Sequence, residues 1–476
     1  MVIRRWLAFL GLLSMWTVCI SCGQNYRLPI IQIPGDPGDP KLYHFAMTIS
    51  TNDPVANANT PGSVMQTDVV GDLDVGEAPV GRGPIFATLQ PTGSANRIYV
   101  INGLEETVST TTAAPQACSP GPVCPIGAVS TITMPAGSAP SYLNTTEAGN
   151  MYVILQNSTR MPGGLPAPPT VGVISVFQNV LLQEIALPPG AIAIAAMVEL
   201  PNGRKLYVVD KTNGTVYVVD TVSRQVEQTL AVGPAPSMAL ASPDSSAVYV
   251  MTSGGVSVID ALTDQVIGNL PTGSSPSSIT YDTKRNRLYV TEDAAGMVSV
   301  YDTAQAGGVL PTSLLATPAG AVPGAIGVAP LPDGSRFYVL GRVFTSVSTV
   351  PPVPPAQVPI VGLGLTGFDS NTLAAIPSQT NAPNPYPLDA LDPLYTPTNS
   401  HVTLPQDQPC AGFRFRFMVA ASADSGRVYV SSCDAGGTYI FRPADDTGVF
   451  LLPSPNQPPM NGVFKPQFPV YLIAGR

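Results

Sequence analysis

The stretch Asn202–Asp210 reads NGRKLYVVD, and variants of this string return along the chain. Each variant places polar, turn-forming residues directly before an apolar run with a Tyr-Val pair, which is typical of a β-strand entered from a tight turn. The other clear copies are SSAVYVMT (Ser245–Thr252), RNRLYVTE (Arg285–Glu292) and GSRFYVLG (Gly334–Gly341). The chain is therefore built from repeats of one unit.

The Tyr-Val pair gives the length of the repeat. Where no insertion intervenes, the tyrosines are 42 residues apart (Tyr207 to Tyr249) and 40 residues apart (Tyr249 to Tyr289). This is the length of one four-stranded blade of a β-propeller. The pair marks seven positions, which are Tyr99, Tyr152, Tyr207, Tyr249, Tyr289, Tyr338 and Tyr429. We expect these tyrosines to pack in the core rather than to contact a ligand.

The residues after each Tyr-Val strand complete a blade. In one unit, GTVYVVD (Gly214–Asp220) alternates as a strand and ends in Asp, and QVEQTLAVG (Gln225–Gly233) supplies a further strand. A Gly-x-x-Pro link, here Gly233–Pro236, leads into the next unit. The recurring aspartates at this position are Asp220, Asp260, Asp302 and Asp369. Their position predicts turn capping rather than catalysis.

The repeat resembles the YVTN-repeat family of β-propellers, which occurs in exported and surface-layer proteins of bacteria and archaea. The resemblance covers roughly Phe45 to the C-terminus and is strongest over residues 190–340. Glu292 stands where the family has Asn after Tyr-Val-Thr. The resemblance implies an all-β fold, a single β-propeller of four-stranded antiparallel blades. Stacking blades around an axis buries the two apolar faces that one blade alone would expose.

The two ends of the repeat region each carry part of a blade. Phe45–Gly76 has the pattern of second, third and fourth strands, and PVYLIAGR (Pro469–Arg476) that of a lone first strand. Joining them would close the ring and remove its exposed sheet edges. Seven marked units and this composite unit predict eight blades, with the family's usual seven as the alternative.

Long insertions interrupt the repeat near residues 103–127, 156–170, 343–359 and 378–408. We letter the strands of a blade A, innermost, to D, outermost, so that B-to-C and D-to-A connections leave one face of the ring. The first three insertions follow a Tyr-Val strand and are read as B-to-C connections, and the fourth as D-to-A. We therefore expect all four on one face, as a binding surface over the channel mouth or as surface decoration.

The N-terminal segment predicts export. Residues 1–22 begin with two arginines and continue in an uncharged run of 16 residues, Trp6 to Ser21, which is shorter than the roughly 20 that span a bilayer. Ile20-Ser21-Cys22-Gly23 is similar to the end of a lipobox, in which the cysteine is lipidated, although Cys19 stands where that pattern usually has Leu.

The whole chain is thereby divided into three segments. We expect a signal peptide over residues 1–21, a lipidated Cys22 with a Pro-rich tether over residues 22–42, and the propeller over residues 43–476. The protein would then be exported and anchored in the bacterial cell envelope through its lipid. Gly23, rather than Asp, after the cysteine favours the outer membrane or the cell surface.

Four cysteines remain once Cys19 is removed and Cys22 lipidated. An even number in an exported chain indicates two disulfides, for which three pairings exist. Cys118 and Cys124 flank a turn-forming Ser-Pro-Gly-Pro-Val segment. Cys410 and Cys433 flank an A-B hairpin that turns near residue 423, so they fall almost opposite each other. We predict the local bridges Cys118–Cys124 and Cys410–Cys433.

Composition and motifs argue against several classes of function. With 22 basic and 31 acidic residues the net charge is -9, which disfavours a nucleic-acid partner. The chain has two histidines, His44 and His401, which we place on opposite faces and so in no shared metal site. Gly362–Gly367 matches GxGxxG, but it falls in a predicted strand with no helix to receive a pyrophosphate. We therefore predict no catalytic, cofactor or metal residue.

These patterns favour a non-enzymatic, lipid-anchored binding or scaffold module of the cell envelope, acting as a monomer on an envelope protein or polymer. The alternatives are a lactonase-like propeller enzyme, which the repeats also resemble, and a purely structural surface module. Convergent Arg, Glu and Asp side chains at the channel mouth would favour the enzyme. A neutral mouth under large loops would favour binding.

The lipid anchor can be tested by metabolic labelling with a fatty-acid analogue. We expect the analogue to label the wild-type protein and the Cys22→Ser variant to carry no label, because lipidation requires the thiol of Cys22. A labelled Cys22→Ser variant, or a mature N-terminus at another residue, would contradict the prediction.

Overall fold

The computed structural model describes residues 45–52, 60–68, 72–90, 97–112, 124–125, 128–145, 150–157, 168–273, 276–303, 314–316, 322, 324–350, 356–378, 384–388, 410, 412–451 and 468–474. Over these residues the chain forms strands and turns, without a helix. Accordingly, this part of the protein has no helix with the length and hydrophobicity required to cross a membrane.

The strands form eight antiparallel blades in a ring, an eight-bladed β-propeller, which confirms the predicted fold. We number strands in chain order and list each blade from A to D. Blade 1 has β33 (Pro469–Ala474), β1 (Phe45–Ser50), β2 (Pro61–Asp68) and β3 (Leu73–Arg82), with the short β7 (Cys124–Pro125) parallel to β3. Blade 2 has β4 (Pro84–Gln90), β5 (Arg97–Asn102), β6 (Thr107–Thr112) and β8 (Ser130–Thr133).

The next three blades continue the ring in chain order. Blade 3 has β9 (Pro140–Thr145), β10 (Asn150–Leu155), β11 (Thr170–Ser175) and β12 (Val180–Ala186). Blade 4 has β13 (Ile194–Glu199), β14 (Lys205–Asp210), β15 (Thr215–Asp220) and β16 (Gln225–Ala231). Blade 5 has β17 (Met238–Ala241), β18 (Ala247–Thr252), β19 (Gly255–Asp260) and β20 (Gln265–Leu270).

The last three blades complete the ring. Blade 6 has β21 (Ser278–Asp282), β22 (Arg287–Glu292), β23 (Met297–Asp302) and β24 (Leu314–Ala316). Blade 7 has β25 (Gly327–Pro330), β26 (Arg336–Val350), β27 (Ala356–Asp369) and β28 (Tyr386–Pro387). Blade 8 has β29 (Phe417–Ala421), β30 (Val428–Ser432), β31 (Gly437–Arg442) and β32 (Thr447–Leu451).

Blade 1 is the composite blade that the sequence predicts. Its A strand β33 comes from the C-terminal part of the chain and pairs antiparallel with β1, with Ala46 opposite Ala474 and Thr48 opposite Leu472. The ladder continues from β1 to β2 and from β2 to β3. One blade built from both ends of the repeat region therefore closes the ring.

The Tyr-Val tyrosines lie in the B strands and pack between blades. None of the seven is more than 3% exposed. Tyr207 of blade 4, for example, belongs to a core cluster that also contains Val248 and Val250 of blade 5. Its hydroxyl donates a hydrogen bond of 2.7 Å to Asp264, again in blade 5. The predicted packing role of these tyrosines is confirmed.

A second contact recurs between neighbouring blades. A cation at the start of a B strand reaches the C-to-D turn of the next blade in five places. Lys205 Nζ lies 2.6 Å from Asp264 Oδ2, and Arg336 Nη1 donates to the carbonyl of Pro443 at 3.0 Å. The other three contacts are Arg97 to the Val176 carbonyl, Arg287 to the Ser370 carbonyl and Arg427 to Asp72. These contacts tie the B strands of five blades to the outer part of the next blade.

Asp72 carries the version of this contact that joins blade 8 to blade 1. Its carboxylate lies in the turn between β2 and β3 and is buried. Arg427 Nε lies 2.5 Å from Oδ1, and Arg442 Nε lies 2.7 Å from Oδ2. Two guanidinium groups of blade 8 thus share one buried carboxylate of blade 1.

Three of the aspartates that end the C strands, Asp220, Asp260 and Asp369, cap the following turns, as predicted. Asp220 Oδ1 accepts hydrogen bonds from the backbone N–H groups of Val222 and Ser223, at 3.0 and 2.6 Å. Asp369 Oδ1 accepts from Asn371 and Thr372 in the same way. Donation from the backbone lowers the pKa of both carboxyl groups, so they stay ionised in the turn.

The prediction that all four insertions leave one face is wrong. Residues 107–112 form the C strand β6, so the insertion of blade 2 follows β6 and is a C-to-D connection on the opposite face. The Thr-rich sequence TVSTTT of β6 carries no apolar alternation, although most of its residues are buried. In blade 7 the D strand β28 lies inside the segment 378–408 that was read as a D-to-A loop.

The other two insertions do lie between B and C strands. Residues 156–169 separate β10 from β11, as predicted. Residues 343–359 belong mostly to β26 and β27, which extend as one long hairpin rather than as a loop. Insertions therefore leave both faces of the ring.

Asp72→Asn should lower the free energy of unfolding by about 3–5 kcal/mol, because it leaves two partly buried guanidinium groups without their counter-charge. Urea unfolding, monitored by circular dichroism, measures this free energy. Glu105→Gln is the control, since Arg82 and Glu105 form a pair that is 40% and 31% exposed. That change should cost about 1 kcal/mol or less. Equal losses in the two variants would show that Asp72 does not hold the ring closed.

Candidate functional site

The mouth of the channel on the D-to-A face is crossed by Gly412–Arg416, the segment that leads into the A strand β29. The Phe413 N–H donates to the carbonyl of Cys410 at 3.0 Å, which turns the chain sharply. The Cys433 N–H donates to the carbonyl of Arg416 at 3.0 Å and extends the A-B ladder of blade 8 by one pair.

The predicted Cys410–Cys433 disulfide holds this turn in place. The Cα atoms are 5.9 Å apart and both residues are fully buried. The register expected from the sequence is wrong, however, because Arg416 and not Cys410 lies opposite Cys433. The turn after Cys410 folds the chain back and brings the sulfur atoms together.

An ion pair supports the same turn. Arg416 Nε donates to Asp434 Oδ2, and Asp434 Oδ1 accepts a hydrogen bond of 3.2 Å from the Cys410 N–H. Burial raises the pKa of the Asp434 carboxyl, while the Arg416 guanidinium opposes that rise. The disulfide and the ion pair together fix the position of the residues between them.

Arg414 reaches from this segment across the channel. Its Nη1 and Nη2 atoms donate hydrogen bonds of 2.6 Å each to the carbonyls of Ala195 and Ser237. Ala195 lies in the A strand of blade 4 and Ser237 directly before that of blade 5. Blade 4 lies opposite blade 8 in a ring of eight, so the segment and the Arg414 side chain together reach across the mouth.

Aromatic rings surround the guanidinium group. Its carbon lies 5.0 Å from the Phe415 ring centroid and 5.8 Å from that of Tyr142, within cation–π range. Phe86 contacts Tyr142 at 4.2 Å and Tyr471 at 4.6 Å between centroids, and Phe415 meets Tyr471 edge-on at 4.9 Å. We call these five residues the Arg414 cluster. Its members come from blades 1, 2, 3 and 8.

The Arg414 cluster carries one positive charge, on Arg414, and its two phenol groups are neutral. Burial raises the pKa values of Tyr142 and Tyr471, so both hydroxyls remain protonated at neutral pH. Packing of the guanidinium group against rings and backbone removes water from it and lowers the pKa of Arg414, but an arginine stays charged at neutral pH. Tyr142 and Tyr471 retain some solvent exposure and Arg414 is exposed, which is what residues lining a water-accessible mouth show.

The carboxylates of the described A strands lie away from Arg414. Glu199 and Asp282 are the last residues of β13 and β21, at the A-to-B end of the channel and away from Arg414. Asp282 Oδ1 accepts hydrogen bonds from the N–H groups of Lys284 and Arg285 and so caps a turn. Within the described residues, no ion pair joins Arg414 to a carboxylate. The same residues contain no group of three or more metal-ligating side chains.

Several predicted residues do not enter this site. Gly362–Gly367 lies in β27, a strand as expected. Cys22, Cys118, His44 and His401 lie outside the described residues, as does the side chain of Cys124. Lipidation and the Cys118–Cys124 bridge therefore stay predictions.

Sequence reasoning missed the Arg414 cluster. One signal was present, since Phe413–Phe417 reads FRFRF and alternates rings with cations in a chain that is only 11% charged. The partner rings Phe86, Tyr142 and Tyr471 sit in three other strands, and no spacing along the chain relates them to Arg414.

Comparison with known proteins supports the fold alone. No family model and no curated protein matches the chain. Among solved structures, a functionally unknown protein from Desulfotomaculum acetoxidans has a TM-score of 0.48 at 12% identity, covering 70% of this chain and 95% of that one. Hydrazine synthase from Kuenenia stuttgartiensis has a TM-score of 0.44 at 16% identity, with 76% and 96% covered. Dihydro-heme d1 dehydrogenase NirN has a TM-score of 0.54 at 12% identity, with 86% and 73% covered.

Removing the disulfide should loosen the mouth without opening the ring. In the double variant Cys410→Ser, Cys433→Ser we expect faster amide hydrogen exchange over residues 412–416, because the covalent link no longer limits their opening. The loss of overall stability should be about 2–4 kcal/mol. Amides of the C-to-D turn Thr221–Arg224 on the opposite face are the internal control, because they exchange by local opening, and should exchange as in the wild type under native conditions. Unchanged exchange at residues 412–416 would show that the disulfide does not hold the segment.

Proposed function

We propose that this chain is a lipid-anchored β-propeller of the YVTN-repeat type that acts in the bacterial cell envelope as a non-enzymatic binding module. Its binding site is the channel mouth on the D-to-A face, and the Arg414 cluster is the anchor. The observation that carries the proposal is that the exposed Arg414 donates to two backbone carbonyls and lies against the rings of Phe415 and Tyr142, while no described carboxylate pairs with it.

The geometry of Arg414 suits a ligand with an acidic group. A guanidinium group has five N–H donors. The carbonyls of Ala195 and Ser237 accept one hydrogen bond each, from Nη1 and Nη2. A carboxylate on the ligand could accept from the donors that are left and would neutralise the charge. Because aromatic rings displace water around the cation, this attraction is stronger than at an open surface.

The rings define the second requirement on the ligand. Phe86, Tyr142, Phe415 and Tyr471 offer apolar surface and ring faces, and arginine with aromatic residues is the composition of binding hot spots. Two phenol groups add polar contacts. A ligand that carries an acidic group beside an apolar or aromatic one fits the cluster.

The net charge of the protein further restricts the class of ligand. At a net charge of -9 the body of the protein repels densely charged polyanions. An isolated carboxylate escapes most of this repulsion, since surface charges more than about 10 Å away are screened at physiological salt. The ligand is therefore expected to present one acidic group, such as the C-terminal carboxylate of an envelope protein that ends in an aromatic residue.

Fluorescent peptides that end in Phe test this function. A peptide with a free C-terminal carboxylate should bind the wild-type chain, and its C-terminal amide should bind about tenfold or more weakly, because a charged hydrogen bond is lost. Fluorescence anisotropy measures both affinities.

Arg414→Gln should weaken carboxylate binding to the level of the amide, while circular dichroism stays unchanged. Arg204→Gln is the matched control, since Arg204 is exposed in an A-to-B turn on the opposite face. Equal binding of the carboxylate to the wild type and to Arg414→Gln would exclude the mouth as the binding site. Turnover of a lactone by the wild-type chain would favour the enzymatic alternative instead.

A further inference from the structure

The exposed apolar side chains of the described residues are concentrated in one part of the ring. Nine large apolar side chains of this part of the chain are at least 40% exposed. Seven of them lie in the C-to-D turns of blades 3, 4 and 5 or in the first three residues of the D strands that follow, and they are Phe177, Val180, Leu182, Val222, Leu262, Val266 and Ile267. These turns leave the ring on the face opposite the Arg414 cluster, which we call the C-to-D face.

Three successive blades each present one apolar side chain at the tip of this turn. Phe177, Val222 and Leu262 are 90%, 87% and 87% exposed. Each stands two positions after the last residue of its C strand. A side chain that is so exposed adds little to the packing of its own blade, so the fold does not account for an apolar residue at this position in three blades in a row. We call these three residues the apolar tips.

The backbone of each tip is already hydrogen-bonded within its turn. Asp260 Oδ1 accepts a hydrogen bond of 2.8 Å from the N–H of Leu262. The N–H of Val222 is bonded in the same way to the carboxylate that ends its C strand. In blade 3 the hydroxyl of Ser175 accepts from the N–H of Gln178 at 3.2 Å. The tips can therefore leave water without leaving these backbone donors unpaired.

Cations lie beside the central tip. The carbonyl of Arg204 accepts hydrogen bonds of 3.2 and 3.0 Å from the N–H and the hydroxyl of Thr221, which places the A-to-B turn of blade 4 next to Val222. Arg204 is exposed, and Arg224 in the same C-to-D turn is half-buried. An apolar side chain beside two guanidinium groups suits the boundary of a bilayer, where acyl chains meet the phosphates of the headgroups.

The separation of the tips favours lipid over protein as their partner. Because the tips belong to three different blades, a protein that covered them would need three pockets at the spacing of the blades. A lipid layer is fluid and accommodates separate side chains wherever they enter. The arrangement therefore fits a membrane surface.

The chain enters the ring on the same face. Strand β1, the B strand of blade 1, begins at Phe45 opposite Asp68, the last residue of the C strand β2. The start of β1 thus lies on the C-to-D face. Residues 23–44 separate it from Cys22 and can extend to about 75 Å at most. A lipid anchor at Cys22 would hold this face towards the membrane without the tether passing round the rim of the ring.

We infer that the apolar tips Phe177, Val222 and Leu262 insert into the surface of the bilayer that holds the lipid anchor. The inference rests on the anchor of the proposed function, because the net charge of -9 opposes an unassisted approach to anionic lipids. Once the anchor is in place the second contact is intramolecular, so three side chains suffice. The contact turns the Arg414 cluster away from the membrane and towards ligands in the aqueous phase.

Tryptophan at the tips tests the contact. The full chain is produced in a bacterium, purified in detergent and reconstituted into vesicles of phosphatidylethanolamine and phosphatidylglycerol, with Trp6→Phe and Trp16→Phe removing the two native tryptophans. In this background Phe177→Trp, Val222→Trp and Leu262→Trp should each show a blue-shifted emission. Lipids brominated on their acyl chains should reduce that emission about twofold, since interfacial apolar groups enter a bilayer by about 5–10 Å.

Ile192→Trp in the same background is the matched control. Ile192 is 58% exposed and lies in the D-to-A connection that leads into blade 4, on the opposite face, so brominated lipids should leave its variant unquenched. Flotation of the vesicles reports the anchor separately. A chain that floats, but whose tip variants are quenched no more than Ile192→Trp, would overturn the inference and leave the anchor of the proposed function standing. A chain that does not float with the vesicles would overturn the anchor and the contact together.

Discussion

Each four-stranded blade has two apolar faces, and the rest of the structure depends on burying both of them. An open row of blades would leave two faces in water, one at each end, so the row has to close on itself. The tyrosines of the B strands fill the interface between neighbouring blades. The cations two residues before several of them contact the C-to-D turn of the next blade. Blade 1 has no such tyrosine in its B strand, but its strands come from both ends of the chain and it receives the cations of blade 8 at Asp72.

How far the sequence predicts this fold depends on the strand. The B strands were identified correctly because tyrosine, valine and a preceding turn recur at a nearly constant spacing. The composite blade was identified because its two parts keep the alternation of their strand types. By contrast, β6 was missed because six residues of mostly Thr and Ser bury hydroxyl groups rather than apolar side chains. The D strand β28 was missed because two residues carry no period at all.

The candidate site was harder to predict for a different physical reason. It assembles on the inner strands, where short segments of four blades meet around the axis, so residues far apart in the chain become neighbours. The FRFRF segment was visible in the sequence. Its position across the channel was not, because it is set jointly by a turn at Cys410, an ion pair between Arg416 and Asp434, and two carbonyl acceptors in the neighbouring blades 4 and 5. The Cys410–Cys433 bridge was predicted correctly from local spacing, although the register behind that reasoning was off by several residues.

The composite blade also sets an order of events during synthesis. Strand β1 is among the first parts of the propeller to be made, while its partner β33 is made last. Until β33 emerges, β1 has an unpaired edge, and blade 8 has an apolar face without a neighbour. Contacts between such distant parts of a chain form slowly, because a long loop must be closed before any of them is gained. The propeller thus remains an incomplete ring until its last strand has been made, and during that time its open edge and apolar face can associate with other chains.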